Sequence, residues 1–279
     1  MIGGIELGGT KCVVAVAESP DKILVKKIIP TKDPNSTFSD LVSFFKDYQI
    51  ESLGIGSFGP IVLDTKSKDY GTLVAESKEG WNGVNVVTSL SKITSNIILD
   101  TDVNAAAYGE YKYGSGQNCR TLVYVTIGTG IGAGILLNGK SHMGNFHLEI
   151  GHMQIPNPDN SVGVCRIHGN CWEGLASGPA MEFRWGIEAS ALDKQHVAWE
   201  KQAELLSFGL INIISNHSPD KIILGGGVMK QKHLLPMIRK NVEVLWNHYV
   251  PLGSLSSLIV EPELGINSGI IGSLTLTKL

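Results

Sequence analysis

A short segment with two cysteines and a histidine, CRIHGNC, has the most distinctive ligand spacing in this chain. Cys165, His168 and Cys171 follow one another at three-residue steps. Thiolate and imidazole are the ligands of structural zinc sites, so the segment predicts part of a metal site. A redox pair is not favoured, because the spacing is C-x5-C rather than C-x-x-C. Two buried thiols without a metal are the alternative, but they give no reason for His168 between them.

A second candidate is a pair of carboxylates in the segment IILDTDVNAAAYGE. Asp100 and Asp102 follow a strand expected to end near Leu99, and a helix is expected from about Asn104. The carboxyl end of such a strand is where α/β domains place their ligand clefts. A carboxylate there can accept the proton of a substrate hydroxyl group. The residues alone leave the choice between Asp100 and Asp102 open, and Asp102 or Thr101 could also cap the helix.

Three glycine-rich turns are candidates for binding phosphate. GGTK and GTGIG each lie between two predicted strands and combine backbone amides with a threonine hydroxyl, while GGGV follows a buried strand. Such turns can donate several N–H groups to an anion, and a glycine admits a base or ribose where a side chain would clash. Tight hairpins without a ligand are the alternative. Three such turns in one chain favour a nucleotide-binding protein.

A match to the P-loop pattern at residues 134–141 is rejected. The segment GILLNGKS satisfies the expression G-x-x-x-x-G-K-[ST]. The pattern requires a glycine-rich loop of backbone amides at the start of a helix. The intervening residues here are Ile, Leu, Leu and Asn, which predict a strand that runs into an Asn-Gly hairpin turn.

The composition is that of an α/β enzyme without an electrostatic footprint for large partners. The chain has 279 residues, 43% of them hydrophobic and 18% charged, with a net charge of −3 and four cysteines. The scattered Lys and Arg residues predict no nucleic-acid partner and no anionic membrane partner. No stretch approaches the roughly 20 apolar residues of a membrane span, and MIGGIELGG does not resemble a signal peptide. We therefore expect a cytoplasmic protein.

The predicted elements arrange these candidates in two similar halves. The chain opens with a strand, a glycine turn and a β-branched strand, and the same order returns at residue 121. Helical periodicity follows at 197–216, and the apolar tail GINSGIIGSLTLTKL is expected to form a helix packed on the body. Two strand–turn–strand units, each heading an α/β half, predict a duplicated fold with a cleft between the halves.

Six motifs occur in order over nearly the whole chain: GIELGGTK, DTDVNAAAYGE, VTIGTGIGAG, HLEIGH, CRIHGNCWEGLASGPA and ILGGGVM. In this combination the chain resembles the ROK family of sugar kinases and repressors, and more narrowly its bacterial fructokinases. The resemblance implies an α/β actin-like/hexokinase-like (ribonuclease H-like) ATPase fold with two α/β domains and an interdomain cleft. It places residues 1–114 and the C-terminal helix 267–279 in a smaller N-terminal domain. A larger C-terminal domain, residues 115–266, carries a zinc knuckle that includes the CRIHGNC segment.

The resemblance implies ATP-dependent phosphorylation of D-fructose to D-fructose 6-phosphate, with Mg²⁺. Glu6 in place of Asp, TDVN in place of NDAN, and the absence of a third cysteine in the metal motif favour fructokinase within the family. Glucokinase or mannokinase activity is the alternative, and a catalytically silent sugar-sensing protein is a second one. Because the chain starts on the first strand, the N-terminal helix-turn-helix of the family's repressors is not expected. The family also suggests a homodimer.

Site residues are transferred from the family motif by motif. Asp102 matches the general base, which leaves Asp100 as a structural or solvent-facing acid, and Glu6 acts on the magnesium shell or anchors its turn. His152 matches a fourth ligand of a structural Zn²⁺ site and is also a sugar contact. The expected sugar-binding residues are Pro60, Thr101, Glu149, His152 and Glu173. The expected ATP-binding residues are Gly8, Gly9, Thr10, Lys11, Thr129, Gly130, Gly226 and Gly227. The expected zinc ligands are His152, Cys165, His168 and Cys171.

Overall fold

The computed structural model describes residues 1–76 and 78–279, which form two compact units. The first unit comprises Met1–Gln117, Lys140–Leu148 and Glu263–Leu279, and the second comprises Asn118–Gly139 and Glu149–Pro262. Unlike the domain boundaries expected from the sequence, the first unit includes the segment 140–148. As boundaries of folding domains, those expected from the sequence stay predictions.

Strands and helices are interspersed along the chain, as in an α/β protein. The strands are β1 (Ile2–Leu7), β2 (Lys11–Ser19), β3 (Lys22–Pro30), β4 (Ser52–Ser57), β5 (Ile97–Thr101), β6 (Thr121–Ile127), β7 (Ile131–Leu137), β8 (Lys140–Ser141), β9 (Lys221–Gly225) and β10 (Ile259–Val260). The helices are α1 (Pro34–Phe45), α2 (Val86–Leu90), α3 (Asp102–Tyr113), α4 (Trp172–Ala176), α5 (Gly178–Trp185), α6 (Ala198–His217), α7 (Leu234–Trp246), α8 (Leu255–Leu258) and α9 (Ser268–Leu276). The periodicity at 197–216 is confirmed by α6.

The sheet of the first unit has the strand order β3-β2-β1-β4-β5. The glycine turn after β1 reverses the chain, so β1 and β2 are antiparallel, whereas β4 and β5 are parallel to β1. β2 is rich in Val and Ala, and most of its side chains are buried. The carboxyl ends of β1, β4 and β5 therefore share one edge of the sheet, where parallel strands present their ligand sites.

Helix α9 packs closely on α3 and β4 in the first unit because glycines occupy the contact positions. A Cβ on Gly272 would lie 1.7 Å from the carbonyl oxygen of Ala105, and a Cβ on Gly54 would lie 1.8 Å from that of Ser273. The buried carboxylate of Glu110 binds the segment that leads into α9, accepting hydrogen bonds from the Leu264 amide at 3.0 Å and the Ser268 hydroxyl at 2.7 Å. The last helix is thus an integral part of the first unit.

The sheet of the second unit repeats the topology of the first. Four of its strands run in the order β10-β9-β6-β7, which corresponds to β5-β4-β1-β2. β6 is antiparallel to β7 and parallel to β9. The expected duplication of the fold is confirmed by this shared order, although the two halves have little sequence similarity.

The rejected P-loop match lies on a β-hairpin. β7 ends at Leu137, and the turn residues Asn138 and Gly139 have φ values of 51° and 74°. Positive φ at both positions is the type I′ geometry for which Asn-Gly is favoured. The segment is not a loop at a helix start, so its rejection is confirmed. Among the described residues, no helix combines the length and apolarity needed to cross a membrane.

Candidate active site

The GGTK turn of the first unit is fixed through its carbonyl oxygens. The Gly8 amide donates to the Lys11 carbonyl at 3.1 Å, and the Thr31 hydroxyl donates to the Gly8 carbonyl at 2.7 Å. The Thr31 amide donates to the carbonyl of Thr10 at 3.0 Å, and the Lys78 ammonium donates to that of Gly9. With its carbonyls engaged in this way, the turn can present backbone amides to an anion.

Asp102 begins α3 immediately after β5, at the carboxyl edge of the first sheet. The cap of this helix is Thr101, whose hydroxyl accepts a hydrogen bond from the Asn104 amide at 3.2 Å. Capping by Thr101 starts the helix at Asp102, two residues earlier than expected. Asp102 Oδ1 accepts a hydrogen bond from the Val103 amide at 2.8 Å.

Asp100 is buried, and its hydrogen bonds stabilise the start of α3. Its Oδ1 accepts hydrogen bonds from the Thr101 amide at 2.8 Å and the Asn104 side-chain amide at 2.7 Å. It is therefore not the solvent-facing acid that the sequence left open. The structure favours the other alternative, an acid that shapes the start of α3.

Burial changes the acidity of two carboxyl groups at this edge. The pKa of Asp102 is raised to about 6 by desolvation, against a smaller opposing effect of the Val103 amide. The pKa of Glu6 is raised to about 7, first by burial and then by the negative charge of Asp102, with Lys11 and Lys26 opposing. Within the described residues, Glu6 Oε2 is a buried atom without a hydrogen-bond partner. A base with a pKa near 6 is ionised at neutral pH and still able to take up a proton.

The raised pKa of Asp102 predicts an acid limb in the pH profile of turnover. A general base must be ionised, so kcat/KM for the sugar is expected to begin falling near pH 7, where Glu6 takes up a proton. Below pH 6, where Asp102 does so, it should fall at least tenfold per pH unit. The measurement is initial rates from pH 4.5 to 8 at saturating nucleotide. Circular dichroism and bound-metal content at each pH serve as controls. A break near pH 4, where an ordinary aspartate titrates, would contradict the assignment.

A buried histidine, which the sequence did not single out, holds the loop of Pro60 in the first unit. His147 Nε2 accepts a hydrogen bond from the Ile61 amide at 3.1 Å, and the His147 side chain is only 4% exposed. Burial lowers the pKa of His147, so the imidazole stays neutral and Nε2 stays an acceptor. The residue lies in the HLEIGH motif, but only the tertiary contact with Ile61 identifies its role.

Two substitutions of His147 test this role. The amide oxygen of glutamine reaches about as far as Nε2, whereas that of asparagine reaches only as far as Nδ1. His147→Asn is expected to leave the Ile61 amide unsatisfied and to lower the free energy of unfolding by about 1–3 kcal/mol. It should also raise the KM for sugar, because Pro60 precedes Ile61 directly. His147→Gln should restore most of both properties, as measured by urea denaturation and sugar titration. Equal behaviour of the two variants would exclude the hydrogen bond as the cause.

In the second unit the two other glycine turns lie next to each other. GTGIG follows β6 and GGGV follows β9, and a Cβ on Gly128 would lie 3.8 Å from the backbone nitrogen of Gly227. Gly226 has a φ of +94°, and a Cβ there would lie 2.3 Å from the carbonyl oxygen of Ile127. Only glycine is compatible with this position. The adjacency follows from β6 and β9 being parallel neighbours.

Glu173 connects the second glycine turn with the cysteine segment. Its Oε2 accepts a hydrogen bond from the Ile131 amide at 3.0 Å, and a Cβ on Gly130 would lie 2.5 Å from the same oxygen. Glu173 is also an acidic residue in the first turn of α4, as the simpler interpretation expected. The helix position therefore does not exclude a site role, since the carboxylate also contacts the GTGIG turn.

The four expected metal ligands come together in the second unit. Their ligand atoms lie within 4.8 Å of one another. His152 Nδ1 lies 3.5 Å from the sulfur of Cys171 and 3.8 Å from that of Cys165, and His168 Nδ1 lies 3.8 Å from the sulfur of Cys165. Standard zinc bond lengths in a tetrahedron put a sulfur and a nitrogen ligand about 3.6 Å apart. Two thiols and two imidazoles at these distances fit a tetrahedral metal ion.

The cluster is anchored by a buried tryptophan between its last ligand and Glu173. Trp172 is fully buried, and its indole Nε1 donates to the Leu205 carbonyl of α6 at 3.1 Å. A Cβ on Gly209 would lie 2.1 Å from the indole, so the helix approaches through a glycine. On the other side, Glu149 Oε2 lies 3.8 Å from His152 Nε2. The expected sugar contacts of the second unit therefore adjoin the metal ligands.

The site residues expected from the sequence are divided between the two units. The first unit brings together the GGTK turn and the acids Glu6 and Asp102, and it also holds Thr101 and Pro60. The second unit brings together the cysteine–histidine cluster, Glu149, Glu173 and Thr129 with the adjacent glycine turns. As assignments of function, all of these positions stay predictions.

The repeated topology defines an actin-like/hexokinase-like α/β fold, which a solved structure shares. A ROK family glucokinase from Streptomyces griseus, determined in complex with glucose and AMPPNP, is 23% identical with a TM-score of 0.81, and 99% of each chain is covered. At this identity the likeness shows the fold alone.

Sequence similarity then defines the family. A model described as "ROK family" matches residues 2–279, so the chain belongs to the ROK family. A putative fructokinase of Bacillus subtilis is 41% identical, with 99% of this chain and 95% of the relative covered. A fructokinase of Streptococcus mutans is 39% identical, with 100% of this chain and 97% of the relative covered. The expected family membership is confirmed.

Proposed function

We propose that the protein is a fructokinase, which transfers the terminal phosphoryl group of ATP to O6 of D-fructose. The observation that carries the proposal is the full-length similarity to relatives named fructokinase, at 41% and 39% identity. A glucokinase of Streptomyces coelicolor is only 24% identical. The carboxylate of Asp102, at the carboxyl edge of a parallel strand, adds a base suited to a hydroxyl substrate.

The first unit supplies the base and one phosphate-binding turn. Asp102 takes the proton of the attacking hydroxyl group as its oxygen bonds to the terminal phosphorus of ATP. The bond between that phosphorus and the bridging oxygen breaks, and ADP leaves with the electron pair. The amides of Gly9 and Thr10 and the charge of Lys11 stabilise the transferring group, because most of the catalysis of phosphoryl transfer lies in positioning and electrostatics.

The second unit supplies sugar contacts and the rest of the nucleotide site. The carboxylates of Glu149 and Glu173 accept hydrogen bonds from sugar hydroxyl groups. The imidazole of His152, whose Nδ1 would bind the metal, donates one from its Nε2–H. Thr129 and Gly130 bind phosphate, and the adjacent Gly226 and Gly227 admit the adenosine. Glu173 has a second role in this proposal, since its contact with the Ile131 amide shapes the GTGIG turn.

Two metal ions belong to the proposal, and the residues fit both. His152, Cys165, His168 and Cys171 would hold a structural Zn²⁺, and four protein ligands leave no position for a reacting water. Glu6 would hold the hydration shell of Mg²⁺, because its buried Oε2 has no hydrogen-bond partner among the residues that the structure describes. Mg²⁺ supplies charge neutralisation at the phosphates when bound. A homodimer is proposed on the family resemblance alone, and light scattering after size exclusion tests it.

An assay of ADP release across hexoses tests the proposed function. The purified protein is incubated with ATP, Mg²⁺ and either D-fructose, D-glucose, D-mannose or no sugar. We expect the highest kcat/KM with fructose, and a fructose 6-phosphate product that phosphoglucose isomerase converts. A preference for glucose or mannose would contradict the fructokinase assignment, and absence of turnover with every sugar would favour a silent sugar-sensing protein.

A further inference from the structure

A lysine outside the expected phosphate-binding residues contacts the GGTK turn. The ammonium group of Lys78 donates a hydrogen bond to the carbonyl oxygen of Gly9. A Cβ on Gly9 would lie 4.0 Å from this ammonium group. Gly9 and Thr10 are themselves exposed, so the side of the turn beside the ammonium group is open to a ligand. Lys78 thus places a positive charge directly beside the proposed phosphate site.

The ammonium group of Lys78 is held over two aromatic rings. It lies 5.4 Å from the ring centroid of Phe58 and 5.7 Å from that of Trp81, within the range of cation–π attraction. Trp81 is buried, and its Nε1 donates to the Lys32 carbonyl at 3.1 Å. The Trp81 amide donates to the Lys78 carbonyl at 3.1 Å, so a local turn places the lysine over the indole. The Trp81 ring under the Lys78 ammonium group is therefore held in place by contacts within the first unit.

A mechanical role at the turn does not require a positive charge. A neutral donor would satisfy the Gly9 carbonyl, whereas partial burial of an ammonium group costs desolvation and here lowers the pKa of Lys78. An ammonium group has three N–H donors, and one carbonyl uses a single donor. The other N–H donors and the positive charge can bind an anion that occupies the turn.

We propose that Lys78 binds the terminal phosphate of ATP at the GGTK turn and is a further substrate-binding residue of the reaction. The terminal phosphate is favoured over the inner ones because Asp102 lies at the same sheet edge as the turn. Because the reacting phosphate must lie near Asp102, it is also the phosphate expected nearest to Gly9 and Thr10. The inference rests on the proposed use of ATP, but not on the identity of the sugar.

The test measures the nucleotide affinities of the variant Lys78→Met and of a matched control variant, both in the absence of sugar. Lys66→Met removes the same charge from an exposed position of the same connection. Calorimetric titrations with Mg²⁺ use ADP, which lacks the terminal phosphate, and AMPPNP, which has an equivalent group. We expect K78M to weaken AMPPNP about tenfold or more and ADP less than about twofold, the scale of a lost charge-assisted hydrogen bond. K66M should match the unsubstituted protein.

A second measurement needs no variant and applies if K78M unfolds. Reductive methylation followed by mass spectrometry should show that AMPPNP protects Lys78 and that ADP does not. If K78M loses affinity for AMPPNP and ADP equally, or if both nucleotides protect Lys78 equally, Lys78 only stabilises the turn. Either result would overturn the proposal. Unchanged affinity for AMPPNP would overturn it too. Failure of the unsubstituted protein to bind either nucleotide would overturn the ATP-dependent function and the role of Lys78 together. A preference for another hexose would affect only the proposed function.

Discussion

Asp102→Asn is expected to lower kcat for fructose by about 100-fold to 10,000-fold, the usual contribution of a general base. The amide oxygen of asparagine can still accept the hydrogen bond from the Val103 amide, so the start of α3 is kept. The melting temperature and the affinity for AMPPNP should therefore change little. Steady-state kinetics, thermal unfolding and nucleotide titration measure the three properties.

Asp100→Asn is the matched control for this variant, because the sequence alone left the two acids in competition. Asp100 is buried and accepts two hydrogen bonds at the start of the helix. The amide oxygen of asparagine can still accept both bonds, so this substitution should change kcat and the free energy of unfolding little. If D102N keeps a kcat near that of the unsubstituted protein, or if D100N is the inactive variant, Asp102 is not the base.

Removal of the metal is expected to have the largest effect on stability. A structural zinc site contributes folding free energy outright, up to about 10–16 kcal/mol in isolated zinc-finger peptides. We expect a smaller loss of several kcal/mol here, because the second unit also has a hydrophobic core. The KM for sugar should rise with it, since His152 is both a ligand and an expected sugar contact. The KM for ATP should also rise, because Glu173 lies two residues after Cys171 and holds the Ile131 amide.

The experiment combines chelation with two cysteine variants. Cys165→Ser removes one ligand, whereas Cys119→Ser changes a buried thiol of the same unit outside the cluster. The variant C165S should have the same metal content, melting temperature and KM as the chelated protein. The variant C119S should have those of the unsubstituted protein. A stripped protein that keeps its melting temperature and its KM for sugar would refute the link between the cluster and the sugar site.

The sequence predicted those parts of the fold that depend on local physical chemistry. β-branched strands, glycine turns and an Asn-Gly hairpin each have a conformation that few residues allow, so β1, β2 and the β7 hairpin are as expected. The start of α3 was misplaced by two residues because Thr101 and Asp102 are both acceptable caps. The competition between them is decided by the hydrogen bond to Asn104, which the sequence does not display.

The parts of the site that the sequence missed depend on contacts between distant segments. His147 meets Ile61 across 86 positions, and Lys78 meets Gly9 across 69. Neither residue belongs to a spacing that chemistry requires, in contrast to Cys165, His168 and Cys171. The dual position of Glu173 was missed for the same reason, since its partner Ile131 precedes it by 42 residues. Local patterns predict ligands on one segment, but a contact between two segments becomes visible only in the folded chain.

The close packing of α9 has a consequence for synthesis on the ribosome. The first unit begins with Met1–Gln117 but is completed only by Glu263–Leu279. At about 5–20 residues per second, translation of the intervening 145 residues takes about 7–30 s. During that time the glycine-lined surface on β4 and α3 lacks its helix. Nascent chains are therefore expected to expose an apolar face that attracts chaperones until the last residues emerge.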